Sequence, residues 1–198
     1  FPEDHWVYLL GAVEGSLFYG IEDQTDPGRG SSWLGVQSFR IIHGGLIQDF
    51  PRFADSFLPR PEGLMNLYGT AFFTAGDIAG NELWRSDGAA EGTVRVADIH
   101  PGAASALEGR TGQVTWEGHG FTSLGGALYF AANDGDHGYE LWKLTPLPGD
   151  TNYDGRVDLT DFGRVKANLG RTGDNLPGEL DYDGDVDLDD FGILKANF

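Results

Sequence analysis

The 198-residue chain has no cysteine. Disulfides, thiolate zinc sites and thiol nucleophiles are therefore excluded. Basic residues are also scarce. Thirteen lysines and arginines stand against 31 aspartates and glutamates, for a formal net charge of −18. Binding to nucleic acid needs clustered Lys and Arg, and so does adhesion to an anionic membrane, so neither class of partner fits. Long apolar runs are missing too. Near the start the longest uncharged apolar stretch is Val7 to Val13, far short of the roughly 20 residues of a spanning helix. Nothing basic precedes it, as a secretory leader would require. The chain opens on Phe1 and closes on Phe198, which leads us to expect a processed or truncated piece of a longer protein.

Signatures of catalysis are absent as well. There is no nucleophile elbow and no glycine-rich phosphate loop. His5, His43, His100, His119 and His137 are scattered, with no pair at helical ligand spacing. Glu82 and Glu140 occupy equivalent places in a repeat, which predicts structural partners rather than the carboxylate pair of a glycosidase. The chain reads as non-catalytic.

What it does have is an apolar content of 40%, enough for the cores of one or two domains, and a duplicated acidic pattern at its end. Twelve of the twenty positions aligned between 150–169 and 179–198 are identical. In each copy, oxygen-bearing side chains fall at positions 1, 3, 5, 9 and 12 of a twelve-residue loop, with Gly155 or Gly184 at position 6. That is the ligand spacing of a calcium loop of the EF-hand type: a hard cation wants six to eight oxygens, and the glycine permits the sharp turn that brings in the carbonyl of position 7. The expected ligands are Asp150, Asn152, Asp154, Asp158 and Asp161 with the Arg156 carbonyl, and Glu179, Asp181, Asp183, Asp187 and Asp190 with the Asp185 carbonyl. Two bound calcium ions are expected. Residues 150–198 carry twelve acidic and five basic side chains, and nine of those acids are ligand candidates. Glu179 stands where its twin has Asp150; the extra methylene could distort the second loop.

Each loop should lead into a helix. Leu159, Phe162, Val165 and Leu169, and then Leu188, Phe191 and Leu194, recur at helical spacing, with Gly170 as a stop signal. Nothing helical can precede the loops, because Pro146, Pro148 and Gly149 lead into the first and Pro177 and Gly178 into the second. Two loop–helix halves of this kind can bury their apolar stripes against each other.

At these residues the chain resembles a dockerin domain: a duplicated loop, no entering helix, and Asp rather than Glu at position 12. The form GD-x-N-x-DG-x-VD-x-x-DF, with Ala-Asn further on, is similar to the version common at the C-termini of secreted planctomycete proteins. The resemblance implies calcium binding and docking onto a cohesin-like partner, outside the cell or at its surface. It places partner recognition at loop positions 10 and 11, Leu159 and Thr160 in one copy and Leu188 and Asp189 in the other, and at Lys166 and Lys195 along the helices. The best-studied cohesin binders carry Ser-Thr at positions 10 and 11, so the identity of the partner does not carry over.

Residues 1–144 read as β structure, rich in glycine, aromatics and short alternating runs. A second repeat lies here. Residues 66–75 and 80–88 align with 124–135 and 138–143, each copy a strand, a polar turn and a strand ending on Trp84 or Trp142. The stretch 92–102 predicts one more strand, closed by Pro101-Gly102. A degenerate earlier unit is expected over about 17–59, where Leu17-Phe18-Tyr19 matches Leu128-Tyr129-Phe130 and Arg52-Phe53-Ala54-Asp55 matches 95–98. The run Trp6 to Leu10 is a candidate to complete the last unit. The pattern resembles the ELW-type repeats of bacterial secreted proteins, related to hyalin-like repeats, which implies propeller-like blades.

The expected fold is thus mainly β over 1–144, propeller-like and not a closed ring, then a Pro-rich linker at 145–149 that spaces the domains apart, then a small helical calcium-binding domain over 150–198. Chelation is expected to unfold that last domain and leave the β part largely intact. Trp84 and Trp142, being repeated, are expected in the β core. Trp33 and Trp116 lie outside the repeats and are candidates for stacking on a polysaccharide. The alternative function is a fragment of a polysaccharide-degrading enzyme, or its carbohydrate-binding accessory.

Overall fold

The computed structural model describes residues 5–23, 36–43, 46–49, 61–77, 80–107 and 120–198. Among these residues eleven strands form three antiparallel sheets, none of them closed, and two helices follow at the C-terminal end. The first sheet is a meander of β1 (His5–Val13), β2 (Ser16–Asp23), β3 (Val36–His43) and β4 (Leu46–Asp49). The second repeats that order with β5 (Glu62–Leu67), β6 (Thr70–Asp77), β7 (Gly80–Ser86) and β8 (Val94–Arg95). The third has three strands, β9 (Thr122–Leu124), β10 (Ala127–Asn133) and β11 (Tyr139–Leu144).

Each meander starts with the same two-residue hairpin. Val13 pairs with Ser16, Leu67 with Thr70 and Leu124 with Ala127. The intervening Glu14-Gly15, Tyr68-Gly69 and Gly125-Gly126 all have positive φ at both positions, the turn whose twist matches that of the strands it joins. The sheets then stack in series. Ala71, Phe73 and Ala75 of β6 pack against Val13, Phe18 and Ile41 of the first sheet. Leu67, Phe72 and Leu83 of the second sheet pack against Leu128, Phe130 and Ala132 of β10. Alternation along β6 lets adjacent phenylalanines serve two different cores.

The repeated tryptophans do equivalent work. Trp84 lies against the first core and donates its indole N–H to the Ala75 carbonyl at 3.0 Å. Trp142 lies against the second and donates to Ala132 at 3.1 Å. In the first sheet Arg40 holds the matching place, opposite Tyr19 as Trp84 is opposite Phe73.

Three expectations change. Trp6 to Leu10 does not complete the last unit; it belongs to β1, which pairs with β2. The earlier unit accordingly begins upstream of residue 17, and its proposed match at Arg52 to Asp55 lies outside the described residues. The strand expected over 92–102 shortens to Val94–Arg95, because beyond Val96 the chain leaves the sheet plane and its amides go to a side chain. The Glu82 carboxylate, wholly buried, accepts the Ile99 amide at 3.0 Å.

Helices α1 (Leu159–Asn168) and α2 (Leu188–Asn197) follow the two acidic loops, with no helix leading into either. They share a core of Val165, Leu176, Leu180, Val186 and Leu194, flanked by Val157, Phe162 and Ile193. The expected stripe is therefore half right. Val165 and Leu194 are buried, whereas Leu159, Leu169 and Leu188 are exposed at 74%, 51% and 72%. Leu176, Leu180 and Val186, from the segment between the helices, fill the space instead. Residues 145–149 do not space two bodies apart: Tyr153, in the first acidic loop, is part of the core built on Phe72, Leu128 and Phe130.

Candidate metal centre

Both acidic loops are wound by the same set of side-chain-to-backbone hydrogen bonds. At position 12, Asp161 accepts the amide of Thr151 at 2.8 Å and that of Asp158 at 2.9 Å. Its twin Asp190 accepts Leu180 at 2.6 Å and Asp187 at 2.7 Å. At position 9, Asp158 and Asp187 cap their helices by accepting the amides of Thr160 (2.8 Å) and Asp189 (2.7 Å), and each completes a reciprocal capping box with position 12. At position 5, Asp154 and Asp183 accept the amides of Arg156 (2.9 Å) and Asp185 (3.1 Å). At position 3, Asn152 and Asp181 accept those of Asp154 (2.9 Å) and Asp183 (3.2 Å). Such bonds bend each loop around its own oxygens.

Position 1 is where the copies differ. Asp150 accepts the amides of Asp154 (3.1 Å) and Gly155 (2.8 Å). The longer Glu179 reaches Tyr182 (2.8 Å) and Gly184 (3.0 Å). The extra methylene changes one partner and leaves the turn in place. Glu179, Asp181 and Asp183 offer carboxylate oxygens that all lie within 4.8 Å of one another, so this group could hold a metal ion. In the first loop Asn152 replaces one carboxylate and donates its own amide to Asp154 at 2.9 Å.

Crowding leaves an electrostatic mark. Burial pushes the Glu179 carboxyl up to about 7, with the charge of Asp190 adding to it. Burial likewise raises Asp150, against the pull of the Gly155 and Asp154 amides, with Asp161 and Asp154 opposing its ionisation. Asp181 is raised in the same direction. Carboxylates held together against their own repulsion, all of them hard oxygen donors, fit a hard divalent cation, which would offset that repulsion.

The six residues expected to face a partner, Leu159, Thr160, Lys166, Leu188, Asp189 and Lys195, are all exposed. The carbonyls of Arg156 and Asp185 sit at position 7 of their loops. Asp185 also joins a short antiparallel bridge to Thr172, flanked by the Val186 amide on Arg171 at 2.9 Å and the Gly170 amide on Val186 at 2.7 Å.

Position 4, which supplies no ligand, is tyrosine in both loops, and here sequence reasoning missed the point. Tyr153 and Tyr182 have positive φ, 59° and 67°, so both rings turn away from the loop oxygens and onto the hairpin tips of the β region. Tyr153 packs edge-on to Phe72 at 5.3 Å and donates its hydroxyl to the Gly126 carbonyl at 3.0 Å. Tyr182 packs at a tilt against Tyr68, ring centres 5.3 Å apart, and lies so close over Gly126 that a Cβ there would overlap its ring. Gly69 meets Pro177 equally closely. From α1, Arg164 donates to Thr70 Oγ1 and to the Thr151 carbonyl, both at 2.9 Å. An aromatic repeated at a position the cation does not need was the available signal.

Away from the loops, His137 and Asp134 form an exposed pair at 2.7 Å in the β10–β11 turn. Trp33 and Trp116 lie outside the described residues. No protein-family model, curated protein or solved structure matches the chain.

Proposed function

We propose that residues 150–198 form a dockerin-like module that binds two calcium ions and attaches the chain, outside the cell or at its surface, to a cohesin-like partner. The β region, read as propeller-like blades, is carried as non-catalytic cargo. The observation that carries this reading is the correspondence of the two loops, bond for bond, at positions 3, 5, 9 and 12. An accidental acidic turn does not recur with its helix cap and its position-12 carboxylate in register. Oxygen-only donors at this spacing suit calcium rather than a transition metal. In the first loop the holders would be Asp150, Asn152, Asp154, the Arg156 carbonyl, Asp158 and Asp161. In the second they would be Glu179, Asp181, Asp183, the Asp185 carbonyl, Asp187 and Asp190. Ordering both loops sets the two helices side by side. Leu159 and Leu188, exposed at matching places, then present a twofold apolar surface for a partner.

Calorimetric titration of the full chain should give two calcium ions per molecule. Immobilised cohesin modules should retain the chain in calcium and release it in chelator. A stoichiometry of zero would remove the metal reading. Normal calcium uptake without retention would leave a metal-stabilised module and remove the docking role.

A further inference from the structure

A cavity of about 220 Å³ opens between the tip of the β5–β6 hairpin and the second acidic loop. Tyr68 walls it on the hairpin side, Glu179 and Tyr182 on the loop side, and Asp174 and Asn175 line it from the segment after α1. The Gly173 amide donates to the Gly184 carbonyl at 2.9 Å and fixes that segment against the loop. The two tyrosine rings have their centres 5.3 Å apart, tilted by 45°. Tyr68, Asn175 and Tyr182 are three of the five non-glycine residues with positive φ among the described residues. Strained backbone of this kind persists where the surroundings impose it, and here it gathers around one cavity. Charge on the walls has one sign. Among the described residues no lysine, arginine or histidine lines the cavity. Burial first, then the charges of Glu179 and Asp174, hold the Tyr68 hydroxyl above its ordinary value, so the field of both carboxylates converges on that ring. Glu179 is buried and accepts two loop amides. The exposed Asp174 carboxylate has no hydrogen-bond or ion-pair partner among the described residues.

We propose that this cavity binds a small organic ammonium ion. The charged nitrogen sits between Asp174 and Glu179, and its alkyl groups lie against the rings of Tyr68 and Tyr182. The carboxylates supply Coulomb attraction and the ring faces a cation–π contact. An anion is repelled by the same walls, and a neutral molecule gains neither term. The volume suits a small ion rather than a drug-sized ligand. Asp181, Asp183, Asp187 and Asp190 do not line the cavity. It is therefore separate from the Glu179, Asp181 and Asp183 group that could hold a metal ion, with Glu179 as the wall the two share. Binding here does not depend on the metal reading, because Asp174 belongs to neither acidic loop.

The test uses the full chain in calcium, at fixed ionic strength, with tetramethylammonium as the probe. Saturable binding at one site is expected. Nuclear magnetic resonance should read it as an upfield ring-current shift of the probe's methyl protons and as shifts of the Tyr68 and Tyr182 ring signals. The uncharged tert-butanol and methyl glucoside should bind about tenfold more weakly or worse. Asp174→Asn and Tyr68→Leu should each weaken tetramethylammonium binding by about fivefold to tenfold. Asp174 is exposed, so its variant should keep the melting temperature and the calcium stoichiometry of the parent chain. Four results would overturn the proposal: no saturable shift, equal affinity for tert-butanol, equal affinity for methyl glucoside, or unchanged affinity in the Asp174→Asn chain. Tetramethylammonium binding in a chain that takes up no calcium would support the cavity and remove only the metal reading.

Discussion

The Tyr153 hydroxyl donates to the Gly126 carbonyl at 3.0 Å, tying the first acidic loop to the tip of the β9–β10 hairpin. Tyr153 is 9% exposed, and Phe72, Leu128 and Phe130 belong to the same core. Its loop is therefore wound around its own carboxylates on one side and fastened into the β core on the other.

Chelation should accordingly destabilise more than residues 150–198. In calcium a single calorimetric transition is expected; in chelator its midpoint should fall, with the near-ultraviolet signal of the β-region aromatics changing alongside the helical signal. Tyr153→Phe should cost about 1 kcal/mol, the value of one buried hydrogen bond. Tyr153→Ala should cost about 3–5 kcal/mol, as other large aromatic truncations in cores do. Denaturant titration measures both. A β signal indifferent to chelator would mean that the contact carries no coupling.

Protons should compete with the cation at the second loop. Burial and Asp190 hold the Glu179 carboxyl at about 7, above its ordinary 4.5. A carboxyl raised on folding keeps its proton in the folded state over that interval. Its contribution to the stability of the metal-free chain is present below about pH 4.5 and is lost as pH rises toward 7. Uptake of a cation releases the proton, so calcium affinity at this loop should rise with pH up to about 7 and then level. Calorimetry across that range, with Glu179→Gln as the comparison, checks it. The substitution should weaken binding and flatten the pH dependence.

Position 12 should matter more than position 1. Asp161→Ala and Asp190→Ala each remove a carboxylate that accepts two loop amides and would also ligate the cation. Each should abolish one site and cost about 2–4 kcal/mol even in chelator, since buried amides lose their acceptor. Leu159→Asp and Leu188→Asp, both on exposed residues, should leave stability and calcium stoichiometry unchanged while abolishing capture by a cohesin module.

The two repeat glutamates should behave oppositely. Glu82→Ala strands the Ile99 amide at a fully buried site and should cost about 2–4 kcal/mol in denaturant titration. Glu140→Ala, at an exposed site in the sequence-equivalent place, should cost about 0–0.5 kcal/mol.

Spacing alone was enough for the acidic loops, because an oxygen every second residue with glycine at position 6 leaves the backbone few ways to turn. It was enough for the exiting helices too, since the aspartates at positions 9 and 12 are both loop residues and helix caps. The turns joining β6 to β7 and β10 to β11 were readable for the same local reason, whereas the hairpins at Tyr68-Gly69 and Gly125-Gly126 break stretches that the repeat pattern reads as single strands. What local pattern left open was where the pieces go. Leu159 and Leu188 match the apolar stripe in spacing yet stay in solvent, while Leu176, Leu180 and Val186, from outside the helices, complete the core around Val165 and Leu194. Trp6 to Leu10 could pair with either end of the β region, and only the hairpin at Glu14-Gly15 brings it onto β2. The sequence by itself determined two loops, their helices and the repeat hairpins, since each is specified by neighbours within a dozen residues. Tertiary structure decided that Tyr153 and Tyr182 clamp those loops to the hairpin tips and that Glu82 is buried while Glu140, in the matching place, is exposed. Both depend on contacts between residues far apart in the chain, which no local spacing encodes.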